Sequence, residues 1–182
     1  MCRGLEGNQH SVSQCSTIIS LSQSNAAFAT AGSDGIVGIW DMRVGRDANN
    51  AIGASMCCSP SKGLPLTSMI EMHHDGNGNS LLAGSVDGSV AMLNYRKNLM
   101  PVFKVSPTNK ESAITCVCEG MWKNEQVAFA AQENGAVSAI GHDGAIKHSF
   151  SLKQGAARLM ATCNHHLIVT GDDNIARVLR PN

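Results

Sequence analysis

Short runs of apolar residues alternate along this chain with tight clusters of Gly, Asp, Asn and Ser. The clearest case spans residues 28–43. Phe28 to Ala31 is small and apolar. Gly32-Ser33-Asp34-Gly35 supplies turn chemistry, because Gly permits positive φ and Asp can bond its own backbone. Ile36 to Trp40 alternates and is β-branched, as a returning strand should be. Weaker copies occupy 81–94, 127–140 and 167–179, and their registers agree. Asp34, Asp87, Asn134 and Asp173 fall at one turn position, and Gly35, Gly88, Gly135 and Asn174 at the next. All four of the latter tolerate a left-handed backbone. Trp40, Leu93, Ile140 and Leu179 follow at one further common position. A strand is expected before each hairpin, at 17–21, 67–72, 113–118 and 158–163. A strand is also expected after the first three, at 51–56, 102–105 and 146–152. No fourth outer strand is legible, since the sequence stops at Asn182 soon after the last hairpin.

The hairpin ending in Trp40-Asp41 resembles a WD40 repeat, the blade unit of a β-propeller. Successive turns lie 53, 47 and 39 residues apart, against a WD40 period of about 40–45. Insertions around 46–63 and 100–112 account for the two long intervals. The resemblance implies an all-β fold of roughly four blades, each a four-stranded antiparallel sheet, at about 16–63, 64–111, 112–155 and 156–182. Residues 1–15 are polar without clear alternation, and are the candidate closing strand for the last blade.

Four blades are few for this family. Three arrangements are open: the C-terminal part of a larger protein, a half-propeller completed by another chain or a second copy, or a small closed four-bladed ring. An incomplete ring is favoured. It would leave strand edges and blade faces for a partner to cover.

Composition narrows the function classes. Hydrophobic residues make up 43% of the chain, enough for a packed core. Charged residues are only 15%, with a formal net charge of zero, which argues against a nucleic-acid footprint. No apolar run approaches the length of a membrane span, and no signal peptide is recognisable. Seven cysteines read as reduced thiols in the cytoplasm, with the nucleus as the alternative compartment. Cys116 and Cys118 share a strand face. With His73-His74 or His165-His166 they lack the Cys-x-x-Cys spacing of a zinc ribbon, so no metal or other cofactor is expected. Cys57-Cys58 is assigned to a loop. No phosphate-binding, hydrolase or metalloprotease motif is present, and an enzyme is not expected.

The WD40 resemblance also implies site residues. A structural network of His10, Thr30, Asp34 and Trp40 should lie buried within the first blade. Trp40 should be more buried than Trp122, which is assigned to a loop. The residue before each turn Asp, namely Ser33, Val86, Glu133 and Asp172, should line one face of the ring. Two of these are acidic, which would suit a basic peptide. Trp40-Asp41-Met42-Arg43 looks like the box by which substrate receptors of cullin–RING ligases bind the DDB adaptor, with Asp41 and Arg43 making the contact. The expected function is a protein–protein interaction scaffold whose partners, or a second copy, supply missing blades. The ligase receptor is the alternative.

Overall fold

The computed structural model describes residues 14–43, 54–73, 79–108, 111–153, 155–163 and 165–180. They form four consecutive antiparallel sheets. The first holds β1 (Cys15–Ser20), β2 (Ala27–Gly32), β3 (Val37–Asp41) and β4 (Met56–Cys58), in that order across the sheet. The second holds β5 (Leu66–Met72), β6 (Ser80–Ser85), β7 (Val90–Asn94) and β8 (Met100–Val105). The third holds β9 (Ile114–Trp122), β10 (Glu125–Gln132), β11 (Ala136–Ile140) and β12 (Ile146–Ser151). The fourth is three-stranded: β13 (Ala157–Cys163), β14 (His166–Gly171) and β15 (Ala176–Leu179).

The turns between the second and third strands form as the sequence predicts. The carboxylate or amide Oδ1 of Asp34, Asp87, Asn134 and Asp173 accepts from the backbone N–H two residues on, at 3.0, 2.9, 2.9 and 3.1 Å. The next residue takes positive φ each time: Gly35 71°, Gly88 77°, Gly135 81° and Asn174 57°. Two expectations need correction. The first outer strand is Met56–Cys58, so Cys57 and Cys58 lie in a strand and not a loop; residues 51–53 of the expected 51–56 strand lie outside the described residues. Trp122 closes β9 and is not on a loop. Lys123 and Asn124 both take positive φ, 49° and 64°, so a two-residue hairpin turn carries β9 and β10 further than the glycine-free sequence suggests.

The core lies between the sheets, in three separate layers. Ala29, Ala31, Val37 and Ile39 of the first sheet pack on Leu66, Met69, Leu81, Ala83 and Leu93 of the second. Leu82, Val90 and Met92 on the other side of the second sheet meet Ile114, Val117, Ala128, Ala130 and Ile140. Phe129, Ala131, Val137 and Ala139 meet Ala157, Leu167 and Val169 of the fourth. Period-two alternation sends successive side chains of each strand into different layers. The two central sheets are therefore apolar on both faces, as β7 (Val90–Asn94) illustrates with four buried residues of five.

Polar contacts cross each layer in a repeated pattern. The second residue of an inner strand sends its hydroxyl to the carbonyl of the first residue of the next inner strand. Ser16 reaches Leu66 at 2.6 Å, Thr67 reaches Ile114 at 2.6 Å, and Thr115 reaches Ala157. The fourth equivalent is Arg158, which turns to Asp172 at 2.7 Å instead. A second contact uses carboxylates. Glu71 accepts from the Ser22 amide at 2.8 Å, the Ser22 hydroxyl at 3.0 Å and the Tyr95 hydroxyl at 2.8 Å. At the matching place in the third sheet, Glu119 accepts from the His73 amide at 2.9 Å and from Gln126.

Candidate protein-interaction site

Among the described residues, each inner sheet has a neighbour on both faces, whereas the first and fourth sheets each have one on a single face only. The other face of the first sheet carries Ile18, Phe28, Thr30 and Trp40. Ile18 is 65% exposed. Phe28 and Trp40 are cross-strand partners with rings stacked at 6.0 Å and 6°. The Trp40 indole N–H donates to Thr30 Oγ1 at 2.8 Å. Gly38 leaves the room for this: a Cβ there would sit 3.1 Å from the indole nitrogen. The equivalents of Trp40 show which way this face looks. Leu93, Ile140 and Leu179 each pack into the layer shared with the preceding sheet. Trp40 therefore faces the place of a preceding sheet that the described residues do not supply.

The far face of the fourth sheet carries Leu159, Ala161, Ile168, Thr170 and Val178. Leu159 is 67% exposed and Val178 57%. These positions alternate with Met160, Val169 and Leu179, which pack toward the third sheet. The row of sheets thus ends in two incompletely covered apolar faces.

Solved structures resemble this arrangement at low sequence identity. The computationally designed Ika4 protein matches with a TM-score of 0.72 at 17% identity, covering 98% of this chain and 96% of that one. The computationally designed Ika8 protein matches with a TM-score of 0.70 at 17% identity, covering 97% of this chain and 48% of that one. Raptor from Chaetomium thermophilum matches with a TM-score of 0.72 at 14% identity, covering 93% of this chain and 15% of that one. The fold is β-propeller-like. No protein-family model matches the chain, and no curated protein matches it in sequence. The chain spans about half the length of Ika8 and a smaller part of Raptor, and likeness at this identity carries the fold alone. The sheets are accordingly propeller blades, and ring closure is not seen among them.

Of the four residues expected to form a network in blade 1, the structure brings Thr30 and Trp40 together. Asp34 serves its own turn, with Oδ1 on the Ile36 amide. His10 lies outside the described residues. Thr30, Asp34 and Trp40 are half-buried rather than buried; for Thr30 and Trp40 the reason is that no blade covers that face among the described residues, while Asp34 sits at a turn whose equivalents Asp87 and Asn134 are no more buried. Trp122 is also half-buried, stacked on His148 at 5.0 Å and Phe150 at 6.1 Å.

Ser33, Val86, Glu133 and Asp172 are all exposed and occupy one equivalent corner of the four blades. Their amides donate to Gln14, Pro65, Ala113 and Ala156 in turn. Asp172 is engaged by Arg158, whose hydrogen bonds hold its carboxyl below the ordinary value. Asp41 and Arg43 are paired with each other: the guanidinium forks onto the carboxylate at 2.9 and 2.6 Å. That bond, with the Arg43 amide, pulls the Asp41 carboxyl down to about 2. The Arg43 side chain remains 70% exposed.

Sequence reading missed the Glu71–His73–Glu119 group. His73 Nδ1 lies 3.2 Å from Glu119, and Nε2 3.6 Å from Glu71. The available signal was a Glu at the same position in two inner strands. Their oxygens accept amide, hydroxyl and imidazole contacts across the blade interfaces. The group binds neighbouring blades together.

Proposed function

We propose that this chain is a non-catalytic protein–protein interaction scaffold built on WD40-type blades. The observation that carries the reading is the pair of apolar end faces, Ile18-Phe28-Trp40 on blade 1 and Leu159-Ile168-Val178 on blade 4. Two interior blades with the same alternation bury both of their faces, so the end faces have the chemistry of blade interfaces without the second blade. A partner that supplies blades, or a second copy, would cover them. The propeller-like neighbours are compatible with such a role.

Light scattering of the full chain over a concentration series tests this. Association beyond the monomer that Ile18→Glu or Leu159→Glu weakens is expected. A chain that stays monomeric throughout, folds cooperatively and is indifferent to both substitutions would overturn the use of these faces. The second reading, a cullin–RING substrate receptor, draws support from the exposed Arg43 guanidinium, held in one orientation by Asp41. Arg43→Glu should then abolish binding to the DDB adaptor. No measurable binding by the unaltered chain would remove this reading.

A further inference from the structure

Blade 4 differs from the others in a second way that concerns its edge rather than its face. In blades 1 to 3 the outermost strand is a fourth strand, and its inward side chains lie under the following blade. Met56 and Cys58 of β4 pack with Tyr95 and Leu99. Phe103 of β8 packs in one layer with Ile140, and Gly144 in the turn after β11 lies against its ring, 2.9 Å from ideal Cβ to Cγ. On β12 the same side bears His148 and Phe150. Blade 4 offers Leu179 to this layer but no fourth strand among the described residues.

The result is a shelf of rings beside an open backbone edge. Trp122 stacks on His148 and Phe150 and meets Phe129 edge-on, with centroids 6.1 Å apart and rings at 78°. His148 is exposed, while Trp122 and Phe150 are half-buried. Beside the shelf, β15 pairs with β14 on one side only. Leu179 belongs to the same apolar layer as Phe150 and Trp122, so edge and shelf are continuous.

We propose that the β15 edge and this aromatic shelf take up an extended segment of a partner protein, acidic in character and with aromatic or branched apolar residues at alternate positions. The proposal rests on the scaffold reading and specifies one partner chemistry for it. Backbone pairing supplies affinity in such strand addition, and pockets for alternate side chains supply selectivity. One set of side chains would cover His148 and Phe150, where ring stacking favours an aromatic residue. The acidic character follows from the rim. Lys147 and Lys153 lie in and just beyond β12, and Arg177 and Arg180 in and just beyond β15; Lys147 pairs with Glu125 and Arg177 with Asp173, while among the described residues Lys153 and Arg180 have no ion pair. Lys153 and Arg180 are exposed. Residues 1–13 of this chain fit poorly: they contain one Glu, one Arg, no aromatic residue and no period-two alternation.

The chain has two tryptophans, so Trp40→Phe in the full chain leaves Trp122 as the sole reporter. The probes are synthetic heptapeptides alternating glutamate with phenylalanine and valine. Controls carry lysine in place of glutamate, or N-methyl groups on alternate amides, and a further peptide has the sequence of residues 1–13. A saturable blue shift of Trp122 emission is expected with the glutamate peptide. Its affinity should fall severalfold with Arg180→Glu and at least tenfold with the lysine or N-methylated peptides. Absence of any shift overturns the proposal, as does binding indifferent to N-methylation or to peptide charge. Tighter binding by the 1–13 peptide would assign the edge to this chain's own segment, and also overturns it. None of these outcomes depends on the end faces, which the scattering experiment reads separately.

Discussion

Gly84 is the last but one residue of β6, where blade 2 packs on blade 3. A Cβ added there would lie 2.4 Å from Ile114 Cγ2, 2.9 Å from Ile114 Cβ and 3.4 Å from Val117 Cγ1. Carbon atoms pack at about 3.5–4.0 Å, so Ile114 would have to move by roughly 1 Å. It has no room: Ile114 is fully buried, and its own carbonyl is bound by Thr67 across the same interface. Forcing a methyl group into such a site costs about 1–3 kcal/mol. Removing a glycine from the unfolded chain returns about 0.4–1 kcal/mol. Gly84→Ala should therefore destabilise by about 1.3 kcal/mol at mid-range, within about 0–2.6 kcal/mol, on these two terms. The sign is the sharp part, since Gly→Ala at an open strand position would stabilise. Ile114→Ala alone should cost about 2–5 kcal/mol through the cavity it leaves. In the double variant the new methyl occupies part of that cavity, so the two losses should fall short of their sum by about 1 kcal/mol or more. Urea unfolding of the four proteins, followed by tryptophan emission, measures the cycle. A Gly84→Ala protein as stable as the native one, or a coupling within about 0.5 kcal/mol of zero, would refute the close-packed blade interface.

Three further outcomes are expected. Thr67→Val keeps the shape but removes the hydroxyl that reaches the Ile114 carbonyl; it should cost about 0.5–1.5 kcal/mol in the same assay, and no loss would show the contact to be dispensable. Cysteine reactivity should be uneven: burial pushes the Cys118 thiol up to about 12 and raises Cys116, while Cys15 and Cys163 are exposed, so mass spectrometry after brief alkylation at pH 8 should find the last two modified first. Asp87 is partly desolvated, which opposes ionisation, yet bonds from Ser89 and Lys104 prevail and hold its carboxyl below 3.8. A depressed folded value stabilises above the unfolded value and is lost as pH falls through the folded one. Asp87→Asn should therefore flatten the stability profile below about pH 4, the unfolded carboxyl range, and an unchanged acid limb would exclude this contribution.

The sequence disclosed this fold where local chemistry decides geometry. Each of the four turns needs an Asx side chain followed by a residue that accepts positive φ, and Asp34-Gly35 through Asp173-Asn174 announce both. It disclosed less where geometry comes from packing. The Lys123-Asn124 turn has no glycine, so the reach of β9 to Trp122 was hidden. The half-burial of Trp40 was equally illegible, because burial depends on what stands opposite and not on the residue itself. Glu71 and Glu119 read as ordinary strand residues until their partners on neighbouring blades are known. The corner positions Ser33, Val86, Glu133 and Asp172 were legible as a set because one turn register generates all four.

The hydroxyl-to-carbonyl contacts give the arc a grammar. Ser16, Thr67 and Thr115 all point forward along the chain, and every apolar layer joins only consecutive blades. Stability in such a molecule accumulates blade by blade, as in a linear array of repeats. Removing an interior blade dissolves two interfaces, while shedding the fourth dissolves one. Among the described residues that blade has three strands, and Arg158 stands where its forward hydroxyl would be. Hydrogen exchange should therefore be graded, with β14 and β15 opening long before β6 and β10. The same asymmetry makes blades 2 and 3, each gripped on both faces, the keystone whose loss would undo the most interfaces.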